Sequence, residues 1–271
     1  MGRLGAILAP DWRDTDPFVT PPRIYLTGHV TLEHGERLIT EDAFPGRQGR
    51  LAFVYLIVNR HRSVTRADLS EVLWTGEAPP ESDAAISAIL SKIRATLKAA
   101  DVLPAIEGRS VAVGVKLPPG TWVDTEAAGN ALDEGEGALR EGDARKAWGC
   151  ANVAVSIARR PFLPDQEGAW VEARRTWQHA VLMRGLECLA RASEAAGQMA
   201  LAIEHVTQVI ELEPFRESAY RDLMRLHQVT GNGGEALRVY ERCRRVLREE
   251  LGASPSPQTE AAFLGILRDG R

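Results

Sequence analysis

The chain has 271 residues, of which 44% are hydrophobic and 26% are charged, and its net charge is −4. This length accommodates two domains of ordinary size, each with its own core. The composition is typical of a globular protein, and no apolar run approaches the roughly 18 residues that cross a membrane. We therefore expect a cytoplasmic protein without a membrane partner, in which residues 1–20 form a flexible tail.

The three cysteines, Cys150, Cys188 and Cys243, are far apart in the sequence. The sequence has no CxxC pair and no Cys/His cluster, so it indicates neither a disulfide framework nor a metal site. It also lacks a glycine-rich phosphate-binding loop and any recognisable spacing of a nucleophile and a histidine. We expect a protein that is not an enzyme and that holds no cofactor.

Residues 21–123 predict a first domain of short strands and three helices. Residues 23–40 alternate apolar and polar side chains, with turns expected at Gly28 and at residues 34–35. The predicted helices span residues 47–59, residues 66–73 after the N-cap Thr65, and residues 82–99 with Ser82 as the cap. Residues 111–117 and 121–123 then predict a β-hairpin. This order of strands, three helices and a hairpin is typical of a winged helix-turn-helix domain.

Positive charge is concentrated in one part of this domain. Residues 43–67 carry no carboxylate but contain Arg47, Arg50, Arg60, Arg62 and Arg66. The third predicted helix has an apolar stripe of Ile86, Leu90, Ile93 and Leu97. Its opposite face consists of small side chains flanked by Ser87, Lys92 and Lys98. Such a face either approaches another surface closely or is simply a solvated face rich in alanine.

Residues 124–271 predict an all-helical second domain built on a repeat. Glycine is followed five residues later by alanine three times, at 142/147, 197/202 and 231/236. The last two pairs stand 34 residues apart, which is the period of tetratricopeptide helix pairs. The predicted helices span residues 125–141, 144–159, 170–196, 199–212, 216–230, 235–250 and 258–268. Stacked helix pairs form binding surfaces for other molecules.

Two segments of the sequence resemble one family. The run VTRADLSEVLWTGEAPPESDAAISAILSKIRATL resembles the DNA-binding domain of the Streptomyces antibiotic regulatory protein family, which is related to the response-regulator winged helices. The segments DEGEGALREGDARKAW and LREELGASPSPQTEAAFLGIL resemble the bacterial transcriptional activation domain of the same family. The implied fold is mainly α with a small β component, in which a winged helix precedes a tetratricopeptide-like domain.

The resemblance implies a role for individual residues. The third helix would be the recognition helix, and the loop of residues 74–81 would contact RNA polymerase through Trp74, Glu77 and Glu81. The recognition residues would be Ser87, Ser91, Lys92, Arg94 and Lys98. The DNA backbone and wing contacts would be Arg47, Arg50, Arg62, Arg66, Arg109 and Lys116. Because few of these residues would contact phosphates, two copies of the protein are expected on repeated sites.

The resemblance therefore implies a sequence-specific transcriptional activator, associated with the nucleoid, that binds direct repeats near promoters and recruits RNA polymerase. Its partners would be double-stranded DNA, polymerase subunits such as sigma, and a second copy of itself. The near-neutral charge of the first domain and the alanine face leave an alternative open. In that alternative the winged helix no longer reads DNA, and the chain is a protein-interaction scaffold. A small effector on the helical repeats is compatible with either interpretation.

Overall fold

The computed structural model describes residues 21–74, 76–102, 106–108 and 112–269. These residues divide into a first unit, residues 21–25 with His29–Val123, and a second unit, Leu26–Gly28 with residues 124–269. The tail expected over residues 1–20 lies outside the described residues. Among the helices in the described ranges, none combines the length and the apolar character needed to cross a bilayer.

The first unit combines seven short strands with three helices within its described residues. In chain order they are β1 (Arg23–Tyr25), β2 (Thr31–His34), β3 (Arg37–Ile39), α1 (Gly46–Val58), β4 (Val64–Thr65), α2 (Arg66–Leu73), α3 (Ser82–Ala99), β5 (Ile106–Gly108), β6 (Ala112–Val115) and β7 (Trp122–Val123). The three predicted helices are confirmed. The cap of α3 differs from the prediction, because Glu81 is the N-cap and Ser82 is the first helical residue.

A four-stranded sheet has the order β3-β2-β1-β7. Strands β1, β2 and β3 are antiparallel, whereas β7 lies parallel to β1. Ile24 is in register with both Leu32 and Val123, and all three side chains are buried. The burial of this row explains why the apolar positions of the strands alternate with polar ones.

The predicted hairpin is only partly correct. Strand β6 falls within the predicted residues 111–117, but it pairs with β5 and β4 rather than with residues 121–123. Trp122 and Val123 instead join β1, because the Thr121 amide bonds to the Pro118 carbonyl in a turn and the Trp122 amide bonds to the Pro22 carbonyl. Strand β5 was not predicted, since three residues with a glycine give no alternating pattern.

The second unit consists mostly of helices stacked in pairs. They are α4 (Asp124–Glu141), α5 (Ala144–Ala158), α6 (Ala169–Ala195), α7 (Met199–Leu212), α8 (Glu217–Val229), α9 (Gly233–Leu251) and α10 (Pro257–Asp269). The predicted helix boundaries lie within two residues of these, so the helical prediction is confirmed. The pairs α4/α5, α6/α7 and α8/α9 pack against one another in sequence.

The repeated glycines form the same turn three times. Gly142, Gly197 and Gly231 have φ angles of 82°, 73° and 75°, a left-handed conformation that costs glycine little. The amide of the following residue bonds back to a carbonyl five positions earlier in each case, as in a Schellman helix end. Each turn directs the chain into the second helix of its pair.

The repeated alanines lie where paired helices approach each other. Ala147, Ala202 and Ala236 are all fully buried. Helix α4 also presents Gly135 to α5, where a Cβ atom would lie 3.2 Å from the carbonyl oxygen of Ala147. A Cβ at Gly185 of α6 would lie 2.6 Å from Val155 of α5, closer than side chains pack. Small residues therefore determine how closely the helices stack.

A buried carboxylate, that of Asp124, begins the second unit. Its two oxygens accept hydrogen bonds from the amide of Leu26, the amide and hydroxyl of Thr27, and the amide of Thr125, at 2.7–3.0 Å. Thr27 also forms a β-bridge with Phe162. These bonds compensate the cost of burying a charged group and hold Leu26–Gly28 within the second unit.

Alanine substitution at two helical glycines should have opposite effects on stability. Gly185→Ala should destabilise the protein by about 1 kcal/mol or more, because the added methyl group overlaps Val155. Gly149→Ala should stabilise it by up to about 1 kcal/mol, since nothing lies within 4 Å of that position on α5 and alanine favours the helix. Urea unfolding followed by circular dichroism measures the change in the free energy of unfolding for each variant. A stabilising Gly185→Ala would contradict the close packing of α5 and α6.

Candidate nucleic-acid interface

Helix α3 has one buried and one exposed face. The predicted stripe of Ile86, Leu90, Ile93 and Leu97 is buried, as is Ile89 beside it. This stripe packs α3 against α1 and α2. The exposed positions are Asp83, Ala84, Ser87, Ala88, Ser91, Lys92, Arg94, Ala95, Lys98 and Ala99. All five predicted recognition residues therefore lie on solvent-facing positions of one helix.

Three of these residues have polar groups that other parts of the protein leave unused. The ammonium groups of Lys92 and Lys98 and the hydroxyl of Ser91 form no hydrogen bond or ion pair with any residue in the described ranges. Arg94 differs, because its Nε atom donates to the carbonyl oxygen of Ile106 in β5 at 3.2 Å. Arg94 thus connects α3 to the β5–β6 hairpin while its side chain stays exposed.

Arg66 holds the start of α3 against α2. Its guanidinium donates to the carbonyl oxygen of Asp83 at 3.0 Å and to the Ser87 hydroxyl at 2.9 Å. The Ser87 hydroxyl in turn donates to the Asp83 carbonyl at 2.8 Å. Arg66 and Ser87, both predicted to contact DNA, are therefore also bound to each other. This contact fixes the orientation of the first turns of α3 relative to α2.

Arg62 lies in a polar network at the start of α2. Its guanidinium donates to the side chains of Asn59 at 3.1 Å, Asp68 at 3.1 Å and Tyr55 at 2.7 Å. The hydrogen bond to Asp68 raises the pKa of Arg62, and burial raises the pKa of Tyr55. The side chain of Arg62 remains about half exposed. The predicted phosphate contact would have to form alongside these internal bonds.

Thr65 and Asp68 form a capping box around the first turn of α2. The Thr65 hydroxyl accepts from the Asp68 amide, and the Asp68 carboxylate accepts from the Thr65 amide at 2.8 Å. This bond from the Thr65 backbone lowers the pKa of Asp68. The sequence Thr-Arg-Ala-Asp predicts such a box, of which only the Thr65 cap was expected. Asp68 is thus a residue that orients Arg62 and that sequence reasoning missed.

The other predicted backbone contacts occupy separate elements. Arg47 is exposed and Arg50 is partly buried in the first turns of α1, which packs against α3. Lys116 is exposed directly after β6. Arg109 lies outside the described residues, between β5 and β6. The structure thus distributes the predicted contacts over α1, α2, α3 and the β5–β6 hairpin.

The loop between α2 and α3 carries the three predicted polymerase contacts. Trp74 is partly buried and ends α2, where its amide bonds to the Ser70 carbonyl at 3.1 Å. Glu77 and Glu81 are exposed. The amide of Ser82 bonds to the Pro79 carbonyl at 2.9 Å, which fixes the end of the loop at the start of α3.

Comparison with known proteins gives one matching family profile. It is described as the bacterial transcriptional activator domain, and it matches residues 123–267. The chain is 25% identical to the transcriptional regulatory protein MoaR1 of Mycobacterium tuberculosis over 230 residues, which are 81% of this chain and 71% of MoaR1. It is 24% identical to the regulatory protein AfsR of Streptomyces griseus over 246 residues, which cover 91% of this chain but 24% of AfsR.

A solved structure shares the fold. The structure of Mycobacterium tuberculosis EmbR, in complex with a low-affinity phosphopeptide, matches 92% of this chain with a TM-score of 0.82 and 22% sequence identity. This chain covers 65% of the EmbR chain in that structure. The protein is therefore mainly helical with an EmbR-like fold, and its helical part is of the tetratricopeptide type.

The stabilising effect of the capping network should depend on pH. The pKa of Asp68 is lower in the folded protein than its usual value of about 4, so its contribution is present above about pH 4 and is lost as the pH falls further. Asp68→Asn should therefore cost stability at about pH 7 but less at about pH 3. Urea unfolding at both values measures this difference, with the exposed Asp42→Asn as the control. An equal cost of Asp68→Asn at both pH values would contradict the role of the ionised carboxylate.

Proposed function

Because the chain belongs to the Streptomyces antibiotic regulatory protein family of transcriptional regulators, with its bacterial transcriptional activator domain, we propose that it activates transcription by binding DNA through its first unit. In this proposal the first unit is a winged helix-turn-helix domain of the response-regulator type over residues 21–123. The helical repeats of residues 124–271 arrange the protomers and contact partners at the nucleoid.

The order and contacts of the elements support the winged-helix assignment. Helices α2 and α3 are joined by a short loop, and the β5–β6 hairpin follows α3 directly in the sequence. The bond from Arg94 to the Ile106 carbonyl joins the hairpin to α3. A helix-turn-helix followed by such a hairpin places its second helix in the major groove and the hairpin on the adjacent DNA backbone.

The exposed face of α3 carries the proposal. This helix of 18 residues is about 27 Å long, and the major groove accepts a helix of this kind. The side chains of Ala88 and Ala95 are short, so this face of α3 could approach base edges closely. Lys92 and Lys98 are free of internal partners among the described residues, so their charges can neutralise phosphates by releasing counterions. The Ser91 hydroxyl is available for a base edge.

The internal bonds of Arg62 and Arg66 give them a second role in this proposal. Arg62 orients the start of α2 and Arg66 joins α2 to α3, so a phosphate contact by either guanidinium would form in addition to these internal bonds. With about six phosphate contacts or fewer, one copy would bind weakly at physiological salt. We therefore propose that two copies bind adjacent direct repeats.

Replacing Lys92 and Lys98 with alanine should weaken DNA binding in a salt-dependent way. Each lost phosphate contact removes about one unit from the slope of log affinity against log salt, so the slope should fall by about two. The measurement is a fluorescence-anisotropy titration with duplex DNA from the region upstream of the protein's own gene and with a scrambled duplex. Neither lysine ammonium group bonds to another described residue, so the variant should keep its thermal stability.

The matched control removes the same charge elsewhere. Arg242 and Arg245 are exposed on α9 and form no ion pair with described residues, so Arg242→Ala with Arg245→Ala should leave the titration unchanged. An equal loss of DNA affinity in both double variants would argue against α3 as the recognition helix. Equal and weak binding of the native protein to both duplexes would favour the scaffold alternative.

Charge reversal in the loop between α2 and α3 should separate DNA binding from activation. Glu77→Lys with Glu81→Lys should lower transcription by RNA polymerase on a promoter template severalfold while DNA affinity is retained or raised. The reason is that both carboxylates are exposed and precede the first helical residue of α3, with Glu81 as its N-cap. In vitro transcription and an anisotropy titration give the two readouts. The control variant is Glu211→Lys with Glu250→Lys, which makes the same charge change outside the loop. Unaltered transcription with the loop variant would refute the polymerase contact.

A further inference from the structure

A groove lies between α4 and α6 in the second unit and encloses a cavity of about 430 Å³. The side chains that line it include Glu136, Leu139 and Arg140 of α4 and Arg184, Cys188 and Arg191 of α6. We call it the arginine groove. Cys188 is buried at its base, and burial raises the pKa of the thiol to about 11, so the thiol is neutral.

Internal ion pairs neutralise most of the charges in the arginine groove. Arg184 donates from Nε and NH2 to both oxygens of Glu136, at 3.0 and 2.8 Å. Glu187 pairs with Arg216 at 2.7 Å. The hydrogen bond to Glu136 raises the pKa of Arg184, which keeps this pair ionised. The carboxylates of the groove are therefore already occupied.

Arg140 and Arg191 are left with unused donors. Both side chains are exposed, and neither forms a hydrogen bond or an ion pair with a residue in the described ranges. A guanidinium offers five N–H donors in a planar fork that matches a carboxylate. Two such forks, one from α4 and one from α6, line the same groove as Leu139 and the buried Cys188, so the site combines cationic and apolar groups.

The groove continues along α6 toward α8. A second, smaller cavity of about 50 Å³ shares Glu187 and Arg191 with the first. Along it, Arg225 binds both oxygens of Glu194, at 2.5 and 2.7 Å, and this contact lowers the pKa of Glu194. Asp222 of α8 also lines this smaller cavity and forms no ion pair with a described residue, so an elongated ligand on this path meets both cations and carboxylates.

We propose that the arginine groove binds an acidic peptide segment of a partner protein, with its carboxylates on Arg140 and Arg191 and an apolar side chain on Leu139. An evenly charged DNA backbone fits this path less well, because it would pass Glu136, Glu187 and Glu194. A peptide can alternate acidic and apolar residues to match the groove. The site belongs to the second unit alone and does not depend on DNA binding by α3.

The test uses the full chain and a fluorescein-labelled peptide in which glutamate and leucine alternate. A peptide with glutamine in place of glutamate is the neutral comparison, and each is made with a free and with an amidated C-terminus. We expect saturable binding of the glutamate peptide only. Arg140→Ala with Arg191→Ala should lower its affinity by about tenfold or more, because two charge-assisted contacts are lost. Similar affinities of the free and amidated forms are expected, since side-chain carboxylates are the ligands.

The control variant is Arg242→Ala with Arg245→Ala, which removes the same charge from α9 and should bind the peptide like the native protein. Because the guanidinium groups of Arg140 and Arg191 make no hydrogen bond or ion pair with a described residue, circular dichroism should show unchanged folding of their variant. The proposal is overturned if the glutamate peptide does not bind saturably, if the glutamine peptide binds equally well, or if the control loses as much affinity. It is also overturned if the Arg140/Arg191 variant loses affinity for DNA and keeps its affinity for the peptide.

Discussion

The second unit depends on helix backbones that approach each other more closely than most side chains permit. A methyl group at Gly185 would overlap Val155 of α5, one at Gly135 would lie tightly against the α5 backbone, and Ala147 is fully buried in the same region. Close contact is favourable only if it excludes voids, since protein interiors pack as densely as organic crystals. The position of α6 between α4 and α8, and with it the arginine groove, follows from these small residues.

Arginine serves different purposes in different parts of this chain, and the surrounding acceptors decide which. Arg62 and Arg66 are surrounded by carboxylate, hydroxyl and carbonyl oxygens, so Arg62 joins α1 to α2 and Arg66 joins α2 to α3. Arg184 is held by Glu136. Arg140 and Arg191 have no such acceptors among the described residues, so their donors remain for a ligand. Charge composition alone does not distinguish these three environments.

Local patterns predicted the helices well, because a helix is specified by residues three and four positions apart and by its caps. The turns at Gly142, Gly197 and Gly231 could be predicted for the same reason. The position of β7 in the sheet could not be predicted, since its pairing with β1 depends on contact across about a hundred residues of sequence. The internal bonds of Arg62 and Arg66 were also missed, because those of Arg62 depend on how α1 and α2 meet and those of Arg66 on how α2 and α3 meet. The DNA and polymerase contacts remain predictions.

The hydrogen bonds of Asp124 have a consequence for how this chain can be divided. Three of its four donors come from Leu26 and Thr27, far upstream in the sequence. A fragment that starts at residue 124 would carry a carboxylate deprived of most of its partners, and would lack the strand residue that bridges to Phe162. The helical repeats are therefore not a portable module. A chimera that fuses the helical repeats to another DNA-binding domain must also contain residues 26–28, either in place or as a short tethered segment.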